Sequence, residues 1–279
     1  MPQGAHLGPV LLDTRAPADC KTPATYLGVL NSKGECKIGF GDMSAHQAIT
    51  PDLVLQNRAA VEAAPLIVLD GNIPHKTMES VLQLAEALDI PVFFEPTDTR
   101  KATKPFLQNL SRVLSFASPN LNELSAMASH LGYKNNHKNL DIDAVLQIAS
   151  FLMSYIDNLM ITMGEKGVLI LRKKNEDSKF FRAENNRIIY KKPIGGSVLE
   201  GRLYPVKKLE DVCSVSGAGD CLAGGFIVAM LDGRDEGVCM SVAFEAAKMA
   251  LYSPDAVPER FFDLSHSSWN SEAKCVTVL

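Results

Sequence analysis

The chain alternates between short, wholly apolar runs and longer stretches whose apolar residues recur at helical spacing. TYLGVLN (25–31) and CKIGF (36–40) are two short runs split by a polar link containing Gly34, a pattern that predicts a β-hairpin. PDLVLQNRAAVEAA then reads as a helix, PLIVLDG (65–71) as a buried strand and HKTMESVLQLAEAL as an amphipathic helix. PVFFEP (91–96) is a second strand, KPFLQNLSRVL a helix and LSFAS a short strand. NELSAMASHL and DAVLQIASFLMSYI are helical, LMITMG (159–164) is a strand, and Gly167 opens VLILRKK as the returning arm of a hairpin. Apolar strands without alternation, separated by amphipathic helices, predict βα units on a central, largely parallel sheet. The expected architecture is one doubly wound α/β domain with a small β-flap near its start. No repeat or linker interrupts it; KNNHKNLD (134–141) is its most polar interior stretch, and residues 1–22, rich in Pro, Gly and Ala, have no period.

Candidate chemistry concentrates in SVSGAGDCLAGGF (214–226). Ala218 to Leu231 reads as a buried helix with Asp220 in its first turn. The first amides of a helix lack internal partners and carry partial positive charge. Gly217, Ala218 and Gly219 would let a phosphate reach them without side-chain obstruction. Asp220 read alone is more simply a capping residue. Gly224 and Gly225 each cost about 1 kcal/mol against Ala inside a helix, so another backbone or a bulky ligand is expected close by. No GK[ST] follows, and GxGxxG is absent, so neither a Walker loop nor a dinucleotide site is indicated. Asn120 and Glu123, just after a strand, form either a capping box or part of a binding site; the two readings are compatible.

Composition narrows the partners. A formal charge of −4 and a pI near 5.9 argue against a nucleic-acid binder. Six cysteines without CxxC spacing read as reduced thiols of a cytoplasmic protein rather than a disulfide or zinc framework. No apolar run approaches the roughly 20 residues of a membrane span, and the start lacks the pattern of a signal peptide. Arg172, Lys173 and Lys174, followed by Glu176 and Asp177, read as the solvated tip of a hairpin. The terminal Thr277–Val278–Leu279 has the form of a peptide that adds a strand to a PDZ-type groove, a form common by chance.

Together, VSGAGD (215–220), SPNLNEL (118–124), ITMGEKGV (161–168) and AFEAAKMALYSPDAVPE (243–259) resemble, in order, the motifs of the PfkB, or ribokinase-like, family of sugar and nucleoside kinases. The resemblance covers roughly 22–264, leaving 1–21 as a loosely structured lead and 265–279 as a tail. It implies a ribokinase-like α/β fold in which the flap is a lid. Asp220 would be the base, and the amides of Gly217, Ala218 and Gly219 would stabilise the transferring phosphoryl group. Asn120, Thr162, Gly164, Gly167 and Ser216 would lie at the nucleotide, with Glu123 on Mg²⁺ through water. ATP and Mg²⁺ are the implied cofactors. K⁺ stays open, because Ser214 stands where the family has an aspartate. DVCSVSGAGDCLAG, LEGRLYPV (199–206), ATYLGVLNSKGECKIGFGDM (24–43) and MALYSPDAVPE are most similar to pseudouridine kinases, which implies phosphorylation of a 5′-hydroxyl. In some relatives this activity is fused to a pseudouridine-5′-phosphate glycosidase. VLDGNIP (68–74) and FFEPTD (93–98) match strand ends near substrate.

The family's opening βα region, with its substrate-contacting Asp and Gly-Gly pair, has no counterpart in residues 1–21. An exposed apolar sheet edge is therefore expected, with a homodimer through the lid or that edge as the partner form. Two alternatives accompany the kinase reading: a nucleotide-binding or interaction protein without turnover, and a kinase of another acceptor such as ribose or adenosine.

Overall fold

A computed structural model describes the chain except residues 1–22, 31–35, 108–109, 135–138, 176, 186 and 194–197. The expected loose lead at 1–21 and the turn at Gly34 lie outside the described residues. The expected hairpin forms from β1 (Thr25–Leu30) and β2 (Cys36–Asp42), separate from the main sheet. Leu27 faces Phe40 and Val29 faces Ile38 across it, and all four side chains are exposed.

Two helices, α1 (Pro51–Gln56) and α2 (Arg58–Ala63), replace the single one expected. Asn57 divides them: its side-chain amide donates to the Leu53 carbonyl at 2.8 Å, a local bond that competes with the helix ladder. Then come β3 (Ile67–Asp70), α3 (His75–Leu88), β4 (Val92–Glu95), β5 (Leu114–Ala117), α4 (Leu121–His130) and α5 (Ile142–Leu152). The helix expected over KPFLQNLSRVL is instead two 3₁₀ turns, Lys101–Phe106 and Ser111–Val113. Pro105 lies inside the first and has no N–H for an α-helical ladder. The hairpin β6 (Asn158–Thr162) and β7 (Val168–Lys173) turns at Gly164–Gly167, as expected. A small hairpin, β8 (Phe181–Glu184) and β9 (Arg187–Tyr190), precedes β10 (Leu199–Tyr204), α6 (Ala218–Leu231), α7 (Glu236–Leu251) and β11 (Val276–Thr277).

The main sheet has the order β11-β10-β7-β6-β5-β4-β3. β3 to β6 are parallel, β7 is antiparallel to β6, and β10 returns to the direction of β3–β6. Residue alternation sends Val92 and Phe94 to the face covered by α3, α4 and α5, and Phe93 to the face covered by α6 and α7. Helices on both faces explain the wholly apolar strands. β3 ends the sheet among the described residues, and its Val68 is 53% exposed, the apolar edge the sequence led one to expect. The other edge is closed by the C-terminus: Gly201 donates to the Leu279 carbonyl at 3.1 Å and accepts from Val278 at 2.9 Å. The terminal Thr-Val-Leu is thus already committed to its own sheet.

The basic run is a solvated tip only in part: Lys174 and Asp177 are exposed, but Arg172 is not. Arg172 is fully buried, stacked 4.4 Å over Phe180 and paired with buried Glu236 at 3.1 Å. Glu236 also takes Arg202 at 3.0 Å and the Tyr204 hydroxyl at 2.7 Å, tying α7 to β7 and β10. The two glycines of α6 differ in role. A side chain on Gly225 would meet the α7 backbone at Ala243 Cα, 3.0 Å away, whereas Gly224 faces open space. Gly225→Ala is therefore expected to cost about 1–3 kcal/mol. Gly224→Ala should be neutral or stabilising by up to about 1 kcal/mol. Denaturant midpoints of the two variants check the contrast.

Candidate active site

Parallel α/β sheets bind ligands beyond the carboxyl ends of their strands. Here those ends carry, in sheet order, Asp70 on β3, Glu95 on β4, Ser118 and Asn120 after β5, and Thr162 on β6. Asn120 and Thr162 are joined in a parallel bridge, with the Thr162 amide donating to the Pro119 carbonyl at 3.0 Å. Asn120 caps α4: its Oδ1 accepts from the amides of Asn122 (2.9 Å) and Glu123 (3.0 Å), while Glu123 Oε2 accepts from the Asn120 amide at 2.8 Å. The capping reading holds, and it leaves Glu123 Oε1 unspent on the cap. Buried Glu123 has its pKa raised by burial and by the nearby Asp98 charge.

The loop before α6 is set by Gly217, whose φ of 76° is left-handed and whose missing side chain would collide with the Ala256 carbonyl. Ser214 accepts from the Ser216 amide at 3.1 Å, so a hydroxyl organises the loop where a carboxylate was expected. The α6 ladder begins with Cys221 N to Gly217 O, and the Ala218 amide already donates to the Val215 carbonyl at 3.4 Å, so the amides of Gly217 and Gly219 are the ones left at the helix mouth; outside the helix's own backbone, a side chain placed on Gly219 would meet open space. A phosphate can approach there. Asp220 keeps an exposed surface at the helix mouth, yet the protein around its carboxylate partly desolvates it, and this, then the charge of Asp70, raises its pKa.

Gly164 (φ 59°) and Gly167 (φ 101°) shape the turn after β6, which abuts Tyr204 and Pro205. Beside it opens a cleft of about 720 Å³ between the segment after β10, the outer face of α7 and the C-terminal segment. Val206, Lys207, Phe244, Lys248, His266 and Ser268 are among its walls. The structure thus places Asp220, Asn120, Glu123 and Thr162 around one end of the sheet, and Gly164 and Gly167 farther along it.

Sequence reasoning passed over Glu95 as a single residue. Its Oε2 accepts from buried Ser118 Oγ, and burial, then the charges of Glu123 and Asp220, push its pKa up to about 8. The available signal was a carboxylate closing an otherwise buried strand, VFFE. A raised folded-state value stabilises the fold below the ordinary carboxylate pKa and is lost as pH rises towards about 8. The melting temperature of Glu95→Gln minus that of the wild type should therefore grow from pH 5 to pH 8. A difference independent of pH would contradict the assignment.

Among the described residues no group of three or more His, Cys, Asp or Glu forms a metal cage. Mg²⁺ does not need one, since it keeps several waters and takes one or two carboxylates plus phosphate oxygens. The donor chemistry fits: Glu95, Glu123 and Asp220 are carboxylates whose pKa values are raised by burial and by neighbouring negative charge.

Residues 14–258 match the pfkB family of carbohydrate kinases. The chain belongs to that family. It is 28% identical over 281 residues to a pseudouridine kinase of Arabidopsis thaliana, covering 87% of this chain and 71% of that one. Among solved structures it resembles an adenosine kinase from Schistosoma mansoni in complex with 2-fluoroadenosine (TM-score 0.63, 15% identity, 85% of this chain and 64% of that one). It also resembles a ribokinase from Thermotoga maritima (TM-score 0.56, 18% identity, 84% and 66%). The fold class is ribokinase-like α/β, and this chain spans about two thirds of the length of those structures.

Proposed function

We propose that this pfkB-family chain is an ATP-dependent kinase of a nucleoside 5′-hydroxyl, with pseudouridine as acceptor. The single observation that carries the reaction type is Asp220 at the open mouth of α6, beside a glycine loop with room for phosphate. The likeness to a pseudouridine kinase supports the acceptor.

In this reading the acceptor oxygen bonds to the γ-phosphorus as the bond to the β,γ-bridging oxygen breaks, and the hydroxyl proton passes to Asp220. The raised pKa of Asp220 brings it nearer to the proton it must take. The amides of Gly217 and Gly219 would face the charge on the transferring group, with that of Ala218 joining them on leaving the Val215 carbonyl, and Ser216 holds the loop through Ser214. Glu123 and Glu95 would hold Mg²⁺ through water, and the ion would neutralise phosphate charge. Asn120 and Thr162 line the phosphate path, and the Gly164–Gly167 turn leads to the cleft, which has room for the nucleotide base.

A panel of pseudouridine, uridine, ribose and adenosine with Mg-ATP tests the acceptor: kcat/KM should be highest for pseudouridine. A higher value for ribose or adenosine would transfer the reading to that acceptor. One observation favours a binding protein without turnover, the open β3 edge beside Asp70. ATP binding without transfer to any acceptor would select that reading. A second copy of the chain is the proposed partner, supported by the exposed apolar face of the β1–β2 hairpin and by Val68.

A further inference from the structure

The cleft beside the Gly164–Gly167 turn has three walls, and each brings a cation. Lys207 comes from the segment after β10, Lys248 from the outer face of α7 and Lys274 from the C-terminal segment. Phe244, half-buried one turn before Lys248, supplies a surface on which a heteroaromatic ring can stack. The C-terminal wall is fixed to the body of the protein: its Trp269 is buried, and the Ala273 amide donates to the Gly237 carbonyl at 2.9 Å.

The hydrogen-bonding side chains of these walls divide unevenly. Glu245, the acidic side chain among them, already takes Lys248 Nζ with both oxygens at 3.3 Å. Ser241 and Ser271 bond to each other at 3.1 Å, and Ser271 Oγ donates to the Ser267 carbonyl at 3.0 Å. His266 Nδ1 accepts from the Ser268 amide at 3.3 Å, which leaves the proton of the neutral ring on Nε2 as a donor. Among the described residues, Lys207 and Lys274 make no ion pair. What these side chains have left to offer is donors, two of them ammonium groups. Such a lining discriminates between purines. Guanine presents O6 and N7 side by side, two acceptors that one ammonium reaches together, whereas adenine sets its N6 amino group beside N7 and turns a donor towards the cation. Phe244 is indifferent to that choice, since every base has a face to stack.

We propose that the cleft takes a 6-keto purine and that GTP is a better phosphoryl donor for this chain than ATP, with Lys207 and Lys274 reading O6 and N7. The inference rests on the placement of the base in this cleft and adds to it the residues that choose the base. The chemistry at α6 is unchanged. The acceptor oxygen bonds to the γ-phosphorus of GTP, the bond to the β,γ-bridging oxygen breaks, GDP leaves with that electron pair, and the hydroxyl proton passes to Asp220. ATP, with the same triphosphate, remains a donor.

The test is the affinity of the β,γ-imido analogues of ATP, GTP and ITP, measured with Mg²⁺ by calorimetry on the full chain. The proteins are the wild type, the double variant Lys207→Met, Lys274→Met, and Phe244→Ala. The wild type should bind the GTP analogue about tenfold more tightly than the ATP analogue, the scale of one ammonium shared by two acceptors at a solvated wall. The ITP analogue, which keeps O6 and N7 but lacks the 2-amino group, should follow GTP; if it follows ATP instead, the proposal is overturned. In the double variant the three should bind alike. Lysines that merely attract a triphosphate would weaken all three together and leave their order intact, and that result overturns the proposal. So does a wild type that binds the ATP analogue as tightly as the GTP analogue or more tightly. Phe244→Ala should weaken all three. If it weakens none, the base lies elsewhere, and the proposal falls with the placement of the base while Asp220 keeps its role. A wild type that binds no analogue overturns the kinase reading as well.

Discussion

Asp220→Asn is expected to abolish phosphoryl transfer while leaving nucleotide binding in place. The two side chains have nearly the same shape, so the α6 mouth and its amides keep their geometry. What is lost is the acceptor for the hydroxyl proton, a loss that typically lowers the rate by 10²–10⁴-fold (an order-of-magnitude range). Removing the charge also relieves Asp70 and Glu95, which sit within electrostatic reach of Asp220. The variant should consequently bind Mg-ATP at least as tightly as the wild type and unfold no sooner. The measurement is single-turnover transfer alongside nucleotide affinity. A variant that retains wild-type turnover would remove Asp220 from the role of base and leave it as a first-turn acid that only complements the α6 dipole, since α6 has Gly217 and no side chain at its cap.

The second large effect is structural and lies far from the phosphate. Glu236→Ala is expected to destabilise the fold by about 3–5 kcal/mol, because it leaves Arg172 buried without its carboxylate. Arg202 is partly exposed and can recover water, but the guanidinium of Arg172 cannot. The Tyr204 hydroxyl loses its partner as well. The double variant Arg172→Met, Glu236→Leu should lose much less than the sum of the two single changes, since it removes the charge along with its partner. Urea unfolding of the four proteins reads the cycle directly. Additive losses would mean that the pair is not coupled in the way its geometry requires.

The Arg172 case also shows where local reading fails. In the sequence, Arg172 belongs to a basic run answered by acids just downstream, and nothing nearby marks it as buried. Its partner lies 64 residues away on another element. The sheet was far more legible. Runs such as VFF (92–94) and VLIL (168–171) are apolar throughout because helices cover both faces, so burial is written directly into composition. The loop at 214–220 was legible for a similar reason: its small residues are a local requirement, and the positive φ of Gly217 bears that out. The helix expected over KPFLQNLSRVL outran its own warning, since Pro105 sits within the pattern. The β8–β9 hairpin escaped because its strands are four residues each and only partly apolar. Glu95 escaped as a site residue because its character comes from Ser118, Glu123 and Asp220, which the fold alone assembles.

The central claim is that this chain moves the γ-phosphate of ATP onto a nucleoside. Its most direct test is to incubate the wild-type chain with γ-labelled ATP, Mg²⁺ and pseudouridine, separate the products and locate the label. The account predicts labelled pseudouridine 5′-phosphate, formed in proportion to enzyme and absent with Asp220→Asn. Label remaining in ATP, with pseudouridine and every other acceptor unphosphorylated although the nucleotide is bound, would contradict it.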